Sequence, residues 1–210
     1  AIFQKNGEGE IIKPLKKMIE KQEKYPIIYI SGGGQGSHII NTVIRESLPL
    51  LLQNFQIVLQ TGDNQEYKDY NLCINDKSKL SVEQQERFLP IKYILDKEIG
   101  FLFSNIDMYA GRSGANTAYE MGVMAIPSIF IPIPWVTHNE QEKNAKVLAD
   151  LGIAEILPEG ELSREQLVLS IKNFWNMWKH KRESFNFKDL KKKFPTDAVE
   201  KILNEIEELK

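Results

Sequence analysis

The chain has 210 residues, 42% of them hydrophobic, which is enough to bury a sizeable core and lies near the upper limit for one domain. Its 27 Lys and Arg side chains nearly balance 29 Asp and Glu, and the net charge of -2 excludes an overall field that would attract nucleic acid or an anionic membrane. The single cysteine, Cys73, excludes an internal disulfide and a multi-cysteine zinc site, and it favours a reducing compartment such as the cytoplasm.

Short apolar runs, typical of strands buried on both faces, alternate along the chain with segments whose apolar residues recur at helical spacing. In chain order, the sequence predicts a linker helix over 10–24, a strand over 25–31, a helix that begins at His38, a strand over 55–62, an irregular stretch over 63–80, a strand over 91–94, a helix over 97–105, a strand over 106–111, a helix over 113–125, a strand over 127–134, a helix over 138–152 and a strand over 153–159. Helices over 163–180, 186–193 and 196–209 are predicted to close the chain.

Strands that alternate with helices indicate right-handed βαβ crossovers. We therefore predict an α/β fold, a Rossmann-like doubly wound parallel sheet of about six strands with helices on both faces. Ligands of such sheets bind at the carboxyl ends of the strands, where the strand order reverses. Three loops are therefore candidates for the site, namely those that follow Ile30, Ala110 and Pro132.

The loop after the first long predicted strand, in the sequence ISGGGQGSHIIN, joins a strand to a helix through four glycines. Glycines let backbone amides approach an anion, and the helix N-terminus adds unpaired N–H groups, so the loop favours a phosphate ligand. A purely structural tight turn is the alternative. A nucleotide triphosphatase loop is excluded, because Gly36-Ser37-His38 stands where Gly-Lys-Ser/Thr is required. A dinucleotide or methyl-donor fold is disfavoured, because residues 51–55 are all uncharged near the spacing where an acid is needed.

The second candidate loop, GRSGANTAYE over residues 111–120, supplies a carboxylate. Ser113 could cap the helix that follows, and Glu120 stands about two turns into that helix. A glutamate at this position could bind both hydroxyls of a ribose while the helix N-terminus faces a diphosphate. A solvent-exposed helix residue is the alternative for Glu120.

The third candidate loop, PIPWVTHNEQEKNA, places His138, Asn139, Gln141 and Asn144 at the start of the next helix. Neutral amides suit sugar hydroxyls, which both donate and accept hydrogen bonds. Capping of the helix by Thr137 or Asn139 is the alternative for part of this pattern.

Three segments, GGGQGSHIIN, GRSGANTAYEMGVMAIPSIFIPIP and HNEQEKNAKVLADLGIAEIL, together resemble the C-terminal domain of the MurG family of N-acetylglucosaminyltransferases, over about residues 25–175. Their order and spacing, the R-S-G-A-x-T-x-x-E element and the Q-x-x-N-A element carry the resemblance. It implies one half of a GT-B glycosyltransferase, in which this domain binds the donor, UDP-N-acetylglucosamine (UDP-GlcNAc). It also implies the transfer of GlcNAc to lipid I, which makes lipid II for peptidoglycan.

The resemblance assigns substrate contacts residue by residue. The family's GGSQGA loop falls on Gly32 to Ser37, where Gly34 replaces a Ser that touches the diphosphate and Ser37 replaces an Ala. Glu120 corresponds to the ribose carboxylate, and Gln141 corresponds to a sugar-contacting Gln. The implied substrate-binding residues are Gly33, Gly34, Gln35, Gly36, Ser37, Leu95 near the uracil, Arg112, Ser113, Ala115, Asn116, Thr117, Ala118, Tyr119, Glu120, Gln141 and Asn144.

The family implies an inverting reaction in which an acceptor hydroxyl attacks, a base takes its proton and UDP leaves. Backbone N–H groups and a helix terminus stabilise the leaving diphosphate, so neither a metal nor a cofactor is expected, and the sequence contains no Asp-x-Asp motif. The family places the base and the lipid-linked acceptor on an N-terminal domain that this chain lacks, so the catalytic residues are unknown. His38 and His138 fit a binding or structural role better than that of the base.

We expect a linker helix over 1–24, the UDP-sugar-binding domain over 25–180 and C-terminal helices over 181–210. The chain begins at Ala1 rather than at Met, which suggests a piece of a longer enzyme that is inactive alone. A natural subunit, as in the two-subunit transferase that acts on dolichol-linked sugar, is another arrangement. A related GT-B transferase, such as a diacylglycerol glycosyltransferase, and a non-catalytic nucleotide-sugar-binding module are the alternative functions.

The segment KHKRESFNFKDLKKKF, residues 179–194, interleaves seven Lys and Arg with phenylalanines. It could rest on anionic lipid; a solvated helix face, or packing against the missing domain, is the alternative. No apolar run approaches the ~20 residues that span a bilayer, and no signal peptide opens the chain. We therefore expect a cytoplasmic protein without a nucleic-acid partner, and peripheral contact with the inner face of the cell membrane is a further hypothesis.

Overall fold

A computed structural model describes residues 8–135 and 137–197, apart from the side chain of Thr137. It confirms the α/β fold, because six strands form one parallel sheet in the order β3-β2-β1-β4-β5-β6. The strands are β1 (Ile27–Ser31), β2 (Gln56–Gln60), β3 (Phe88–Ile91), β4 (Met108–Gly111), β5 (Ser128–Phe130) and β6 (Ala154–Ile156).

Helices connect the strands and cover both faces of the sheet. They are α1 (Ile12–Ile19), α2 (His38–Leu51), α3 (Asp69–Ser78), α4 (Val82–Glu86), α5 (Asp96–Phe103), α6 (Ala115–Met124), α7 (Glu140–Asp150), α8 (Arg164–Lys181) and α9 (Phe187–Lys193). Within the two described ranges, none of these helices has both the length and the apolarity needed to cross a bilayer.

Two cores sit on opposite faces of the sheet, because successive strand residues point to opposite sides. On β1, Ile27 and Tyr29 face the core formed with α1, α5, α6, α7 and α9, whereas Ile28 and Ile30 face the core formed with α2 and α8. All five residues of β1 are buried, as the continuous apolar run predicts for a central strand. Because α1 and α9 share a core with the sheet, the division of the chain at residues 24 and 180 stays a prediction.

The stretch between β2 and β3 corrects two sequence predictions. Residues 63–80 were expected to be irregular, but they contain α3, and the strand expected over 91–94 lies over Phe88–Ile91 instead. Pro90 is tolerated there because β3 is an edge strand. The carbonyls of Arg87 and Ile91 accept from the N–H groups of Ile57 and Thr61, so the nitrogen of Pro90 points to the open edge.

The C-terminal segment folds back over α6. Leu190 and Phe194 are buried, and a Cβ on Gly122 of α6 would lie 2.7 Å from the ring of Phe194. Phe185 packs edge-to-face on Trp178 of α8, with ring centroids 5.1 Å apart. Phe185 and Phe194 of the basic tail therefore pack on the domain's own helices, whereas Phe187 is partly exposed. The helix predicted over 196–209 lies outside the described residues, except for positions 196 and 197, which are not helical.

Candidate functional site

The carboxyl ends of β1 and β4 lie side by side at the point where the strand order reverses, which is where doubly wound sheets open a crevice for ligands. Ser31 pairs in register with Gly111, so the loop over 32–37 and the loop over 112–114 start at the same level. The loop after β5 lies beside the second of these, since β5 pairs with β4. The three loops predicted from the sequence therefore meet at one edge of the sheet.

The glycine loop after β1 presents bare backbone to this crevice. The Gly36 N–H donates to the Gly33 carbonyl over 3.0 Å, and the Gly33 N–H donates to Ser31 Oγ over 3.0 Å. In the part of the chain that the structure describes, nothing lies within 4 Å of where a Cβ on Gly33 or Gly34 would stand. These two residues, and the exposed Gln35, are therefore accessible to a ligand, and their contact with substrate stays a prediction.

The loops after β1 and β2 are locked together by two glycines. A Cβ on Gly36 would lie 1.9 Å from the Thr61 carbonyl oxygen, and a Cβ on Gly62 would lie 2.1 Å from the Gln35 carbonyl oxygen. Both glycines have positive φ values, +80° and +73°, which side chains disfavour. The contact is backbone against backbone, so it leaves no room for any other residue at either position.

Helix α2 begins at this loop with an open N-terminus. Ser37 occupies its N-cap position, but the Ser37 hydroxyl makes no capping hydrogen bond. The first intrahelical bond joins the Asn41 N–H to the Ser37 carbonyl over 2.9 Å, so the N–H groups of the first turn are left for an anion.

Arg112 links three loops of the crevice from a buried position. Its Nη2 donates to Ser37 Oγ over 3.0 Å and pairs with the Glu159 carboxylate, and its Nη1 donates to the Ile131 carbonyl over 3.0 Å. The arginine side chain is 7% exposed and that of Glu159 is 5% exposed. The guanidinium predicted to contact substrate thus already has protein partners after β1, β5 and β6.

Helix α6 supplies a second open N-terminus. Its N-cap residue is Gly114, with no side-chain capping bond. The prediction that Ser113 caps this helix is wrong, because Ser113 is fully buried and its hydroxyl donates to the Gln141 carbonyl over 2.7 Å.

The predicted contacts in the first turn of α6 differ in exposure. Ala115 and Asn116 are exposed and Thr117 is half-buried, so all three are accessible. Ala118 is buried in the core instead.

Glu120 lies half-buried in the second turn of α6, and no residue in the described part of the chain forms a hydrogen bond or an ion pair with its carboxylate. Burial raises the pKa of this carboxyl group above its ordinary value. Burial also raises the pKa of Tyr29 and Tyr109, and the charge of Glu120 adds to both increases. Among the described residues, an acidic group without a hydrogen-bond or ion-pair partner therefore lies on α6, the helix that follows β4.

Three side chains that the sequence analysis did not select, Tyr29, Gln60 and Tyr109, hold the loops after β1 and β4 through hydrogen bonds. The Tyr29 hydroxyl donates to Gln60 Oε1 over 2.7 Å, and Gln60 Nε2 donates to the Gly33 carbonyl over 3.3 Å. The Tyr109 hydroxyl donates to the Arg112 carbonyl over 2.8 Å. Two tyrosines and a glutamine within otherwise aliphatic buried strands are the signal that could have identified them.

Side chains of α7 form hydrogen bonds with the loop after β4 and with the loop after β5. Asn144 Nδ2 donates to the Ser113 carbonyl over 3.1 Å, and Gln141 Oε1 accepts from the Ile133 N–H over 3.2 Å. Asn139 occupies the N-cap position of α7 with φ +53°, and its side chain does not cap the helix, while the Thr137 side chain lies outside the described residues. Backbone contacts thus fix the orientation of the Gln141 and Asn144 amides beside the loops after β4 and β5, and their contact with a sugar stays a prediction.

Two predicted contacts lie further from the switch point. Leu95, 52% exposed, is in the loop after β3, which is separated from β1 by β2 and hence by about 10 Å across the sheet. Tyr119 packs on Phe194, with ring centroids 5.7 Å apart, and its hydroxyl donates to the Pro195 carbonyl. The C-terminal segment is therefore the partner of Tyr119 in this structure.

The contact between His38 and Asp69 at the start of α2 is a further feature that the sequence analysis did not identify. His38 Nδ1 lies 2.8 Å from the buried Asp69, whose other oxygen accepts from Asn41 Nδ2 over 3.0 Å, and Tyr67 stacks on the imidazole at 3.9 Å. Asp69 and Tyr67 lie within the stretch expected to be irregular. These contacts fix the position of the His38 imidazole, and its binding or structural role, rather than that of the base, stays a prediction.

The strand order and the open glycine loop at its switch point define a Rossmann-like domain of the nucleotide-binding type. Residues 27–202 match the glycosyltransferase family 28 C-terminal domain, and the chain belongs to this family.

Curated relatives carry one name. The UDP-N-acetylglucosamine--N-acetylmuramyl-(pentapeptide) pyrophosphoryl-undecaprenol N-acetylglucosamine transferase of Prochlorococcus marinus is 33% identical over 171 residues, which cover 80% of this chain and 43% of the relative. The transferase of the same name from Lactococcus lactis is 28% identical over 211 residues, which cover 99% and 55%. The chain thus spans about half the length of the curated relatives it matches.

Solved structures agree with the fold. The crystal structure of Acinetobacter baumannii MurG superposes with a TM-score of 0.64 at 20% identity, over 92% of this chain and 53% of that one. The UDP-GlcNAc 2-epimerase of Neisseria meningitidis bound to UDP-GlcNAc gives a TM-score of 0.60 at 14% identity, over 93% and 48%. At these identities the likeness establishes one half of a GT-B arrangement as the fold of the chain.

Proposed function

We propose that the chain is the UDP-GlcNAc-binding half of an inverting glycosyltransferase that needs no metal, and that the complete enzyme transfers GlcNAc to lipid I to make lipid II. The relatives that share its family support this proposal, since their name specifies that donor and an undecaprenol-linked acceptor. Among the structural observations, the position of the half-buried Glu120 supports this proposal most directly. A carboxylate without a hydrogen-bond or ion-pair partner among the described residues, on a crevice with two open helix N-termini, suits a ribose attached to a diphosphate.

The open N-termini explain how this half would assist transfer. Negative charge builds up on the diphosphate as the sugar leaves, and N–H groups fixed at a helix terminus stabilise that charge without reorganising. The first turns of α2 and α6 supply such groups on the two sides of the crevice. The remaining half of the enzyme would supply the acceptor site and the base, so this chain alone is expected to bind donor without transferring sugar.

Titration calorimetry on the 210-residue chain tests the proposal. We expect binding of UDP-GlcNAc and UDP, with weaker binding of UDP-glucose. Glu120→Ala should weaken UDP binding at least about tenfold, because it removes charge-assisted hydrogen bonds. Glu46→Ala, at an exposed position on α2, is the matched control and should leave binding unchanged.

Two outcomes would contradict the proposal. A preference for UDP-glucose would favour a related transferase such as a diacylglycerol glycosyltransferase. Binding of no uridine nucleotide would exclude a donor domain altogether.

We further propose that the complete enzyme is cytoplasmic and contacts the membrane peripherally, because a lipid-linked acceptor lies at the bilayer. The exposed lysines of α9, Lys188 and Lys191 to Lys193, would contribute about 1 kcal/mol each near an anionic surface. The chain should co-sediment with phosphatidylglycerol vesicles at low salt and be released at high salt. Equal sedimentation with phosphatidylcholine vesicles, or none with either, would contradict this electrostatic contact.

A further inference from the structure

We propose that the Ser37 hydroxyl donates a hydrogen bond to the diphosphate of the donor, and that Arg112 is the positioning residue that holds this hydroxyl in place. The inference rests on the proposed function, and it changes the role of Arg112, which the family resemblance implied to be a substrate contact.

The Ser37 hydroxyl does not cap the helix that it precedes. A serine at an N-cap position ordinarily accepts a hydrogen bond from the second or third N–H of its helix. Here the hydroxyl oxygen instead accepts from Arg112 Nη2 over 3.0 Å, and α2 is left uncapped. Because the oxygen is occupied as an acceptor, the orientation of the hydroxyl is restricted and its single hydrogen is left to donate.

The hydrogen of the Ser37 hydroxyl has no protein acceptor in the described part of the chain. Ser37 is half-buried in the same glycine loop as the open backbone of Gly34, it packs against Gly32, and it immediately precedes the uncapped first turn of α2. An oxygen that approaches these N–H groups also approaches the hydroxyl. A negatively charged phosphate oxygen is the acceptor that can use both kinds of donor at once.

The Arg112 side chain is too enclosed to bind the donor itself. Its Nη2 is shared between Ser37 and Glu159, its Nη1 donates to the Ile131 carbonyl, and its Nε is buried without a partner. The Glu159 carboxylate also neutralises its charge at close range. The guanidinium therefore influences a ligand through the side chain it orients.

Substitution of Ser37 tests the first part of the proposal by calorimetry on the 210-residue chain. Ser37→Val should lower the affinity for UDP about tenfold and leave the affinity for uridine unchanged, because only the phosphate contact is lost. Ser37→Thr keeps the hydroxyl, and its extended backbone, φ -142°, suits a β-branched residue, so it should bind UDP within a few-fold of the parent chain. Ser47→Ala, a buried hydroxyl on the same helix that donates to the Val43 carbonyl, is the matched control and should not change UDP affinity.

The role of Arg112 needs a double-mutant cycle. The Arg112→Gln, Glu159→Gln pair replaces the buried ions with neutral amides and avoids leaving one charge unpaired. In the parent chain it should lower UDP affinity about as much as Ser37→Val, and in the Ser37→Val background it should cause no further loss. An equal loss in both backgrounds would show that Arg112 contacts the donor directly and would overturn its positioning role.

The Ser37 pair decides the proposal even where the Arg112 variant does not fold, because Thr and Val both leave the buried ion pair in place. Equal affinity of the Thr and Val variants for UDP would overturn the hydroxyl contact while the parent chain still binds UDP. Failure of the parent chain to bind UDP at all would instead overturn the proposed function.

Discussion

At the scale of single residues, Glu120 combines a functional role with a cost in stability. Burial raises its pKa, so the ionised form that a ribose needs as an acceptor is the form that the folded chain holds least well. Because the folded state binds the proton more tightly than the unfolded state, ionisation of this group lowers stability as the pH rises from the unfolded to the folded pKa. This loss is complete once the pH is above the folded pKa.

Glu120→Gln should therefore act in opposite directions on stability and binding. At neutral pH we expect a higher Tm, because a neutral amide is buried at less cost than a carboxylate, and a UDP affinity lower by about tenfold. The Tm advantage should vanish as the pH falls below the unfolded pKa, where both side chains are neutral. Scanning calorimetry and UDP titrations from pH 4 to pH 8 measure both effects, and a Tm advantage that grows as the pH falls would contradict the assignment.

The affinity of the parent chain for UDP-GlcNAc should itself fall on acidification, beginning above the ordinary pKa range of a glutamate, whereas that of Glu120→Gln should stay nearly constant over that range. The diphosphate of this ligand is esterified at both ends and lacks the second pKa of about 6 that a terminal phosphate has. Parallel pH profiles for the two proteins would mean that another group controls binding.

The glycine loop allows a second residue-scale prediction. Gly36→Ala should lower the free energy of unfolding by about 2 kcal/mol or more, because its Cβ would collide with the Thr61 carbonyl and its φ is +80°. Gly34→Ala, where the Cβ meets open space, should change it by less than about 0.5 kcal/mol. Urea denaturation measures both, and a Gly34 variant as destabilised as the Gly36 variant would show that the loop is packed rather than open.

At the scale of secondary-structure elements, α9 and the residues that follow it pack against α6. Phe194 lies against the bare backbone at Gly122, and the Tyr119 hydroxyl donates to the Pro195 carbonyl. Because α6 carries Glu120, the segment formed by α9 and the residues after it packs on the helix that lines the crevice.

Phe194→Ala should therefore destabilise the chain by about 3 kcal/mol, through the loss of a buried ring and the cavity left on α6. Phe187→Ala, 37% exposed on the same helix, is the control and should cost less than about 1 kcal/mol. Urea midpoints give both values. A membrane-facing role for the tail would instead predict that neither variant changes stability and that both reduce vesicle binding.

Elements with strong periodicity were predictable from the sequence, and elements that depend on tertiary context were not. β1 is apolar throughout and was predicted with little error, whereas α3 buries only Asp69 and Cys73 and has no apolar stripe to reveal it. β3 was misplaced because Pro90 reads as a breaker, and only its position at the edge of the sheet makes it acceptable.

The candidate site divides in the same way. The loops after β1, β4 and β5 follow from the alternation of strands and helices. The support beneath them does not, because Glu159 lies 47 residues from Arg112, and Gln60 lies 27 residues from Gly33. No local pattern records contacts over such separations.

At the scale of the whole molecule, one helix from each hydrophobic core begins at the crevice where β1 and β4 end. The loop after β1 joins α2 on one face, and the loop after β4 joins α6 on the other, so a ligand at the switch point would contact elements of both cores.

UDP should therefore stabilise the chain as a whole. At a free concentration one hundred times its Kd, a ligand adds about 2.7 kcal/mol to the folded state, which corresponds to a rise in Tm of about 5–10 °C for a chain of this size. Scanning calorimetry with UDP, and with uridine as the control for the phosphate contribution, measures the shift. An unchanged Tm at saturating UDP would contradict a nucleotide site in this crevice.

The backbone contact between Gly36 and Gly62 has a thermodynamic consequence for binding. Because the loops after β1 and β2 fit against each other through main-chain atoms, the glycine loop takes its shape when the chain folds, whether or not a ligand is present. The conformational entropy of ordering it is lost during folding, so little of it remains to oppose binding. The crevice thus resembles a rigid receptor, whose affinity for a diphosphate is set by how well its N–H groups already point, rather than by how tightly a flexible loop can close.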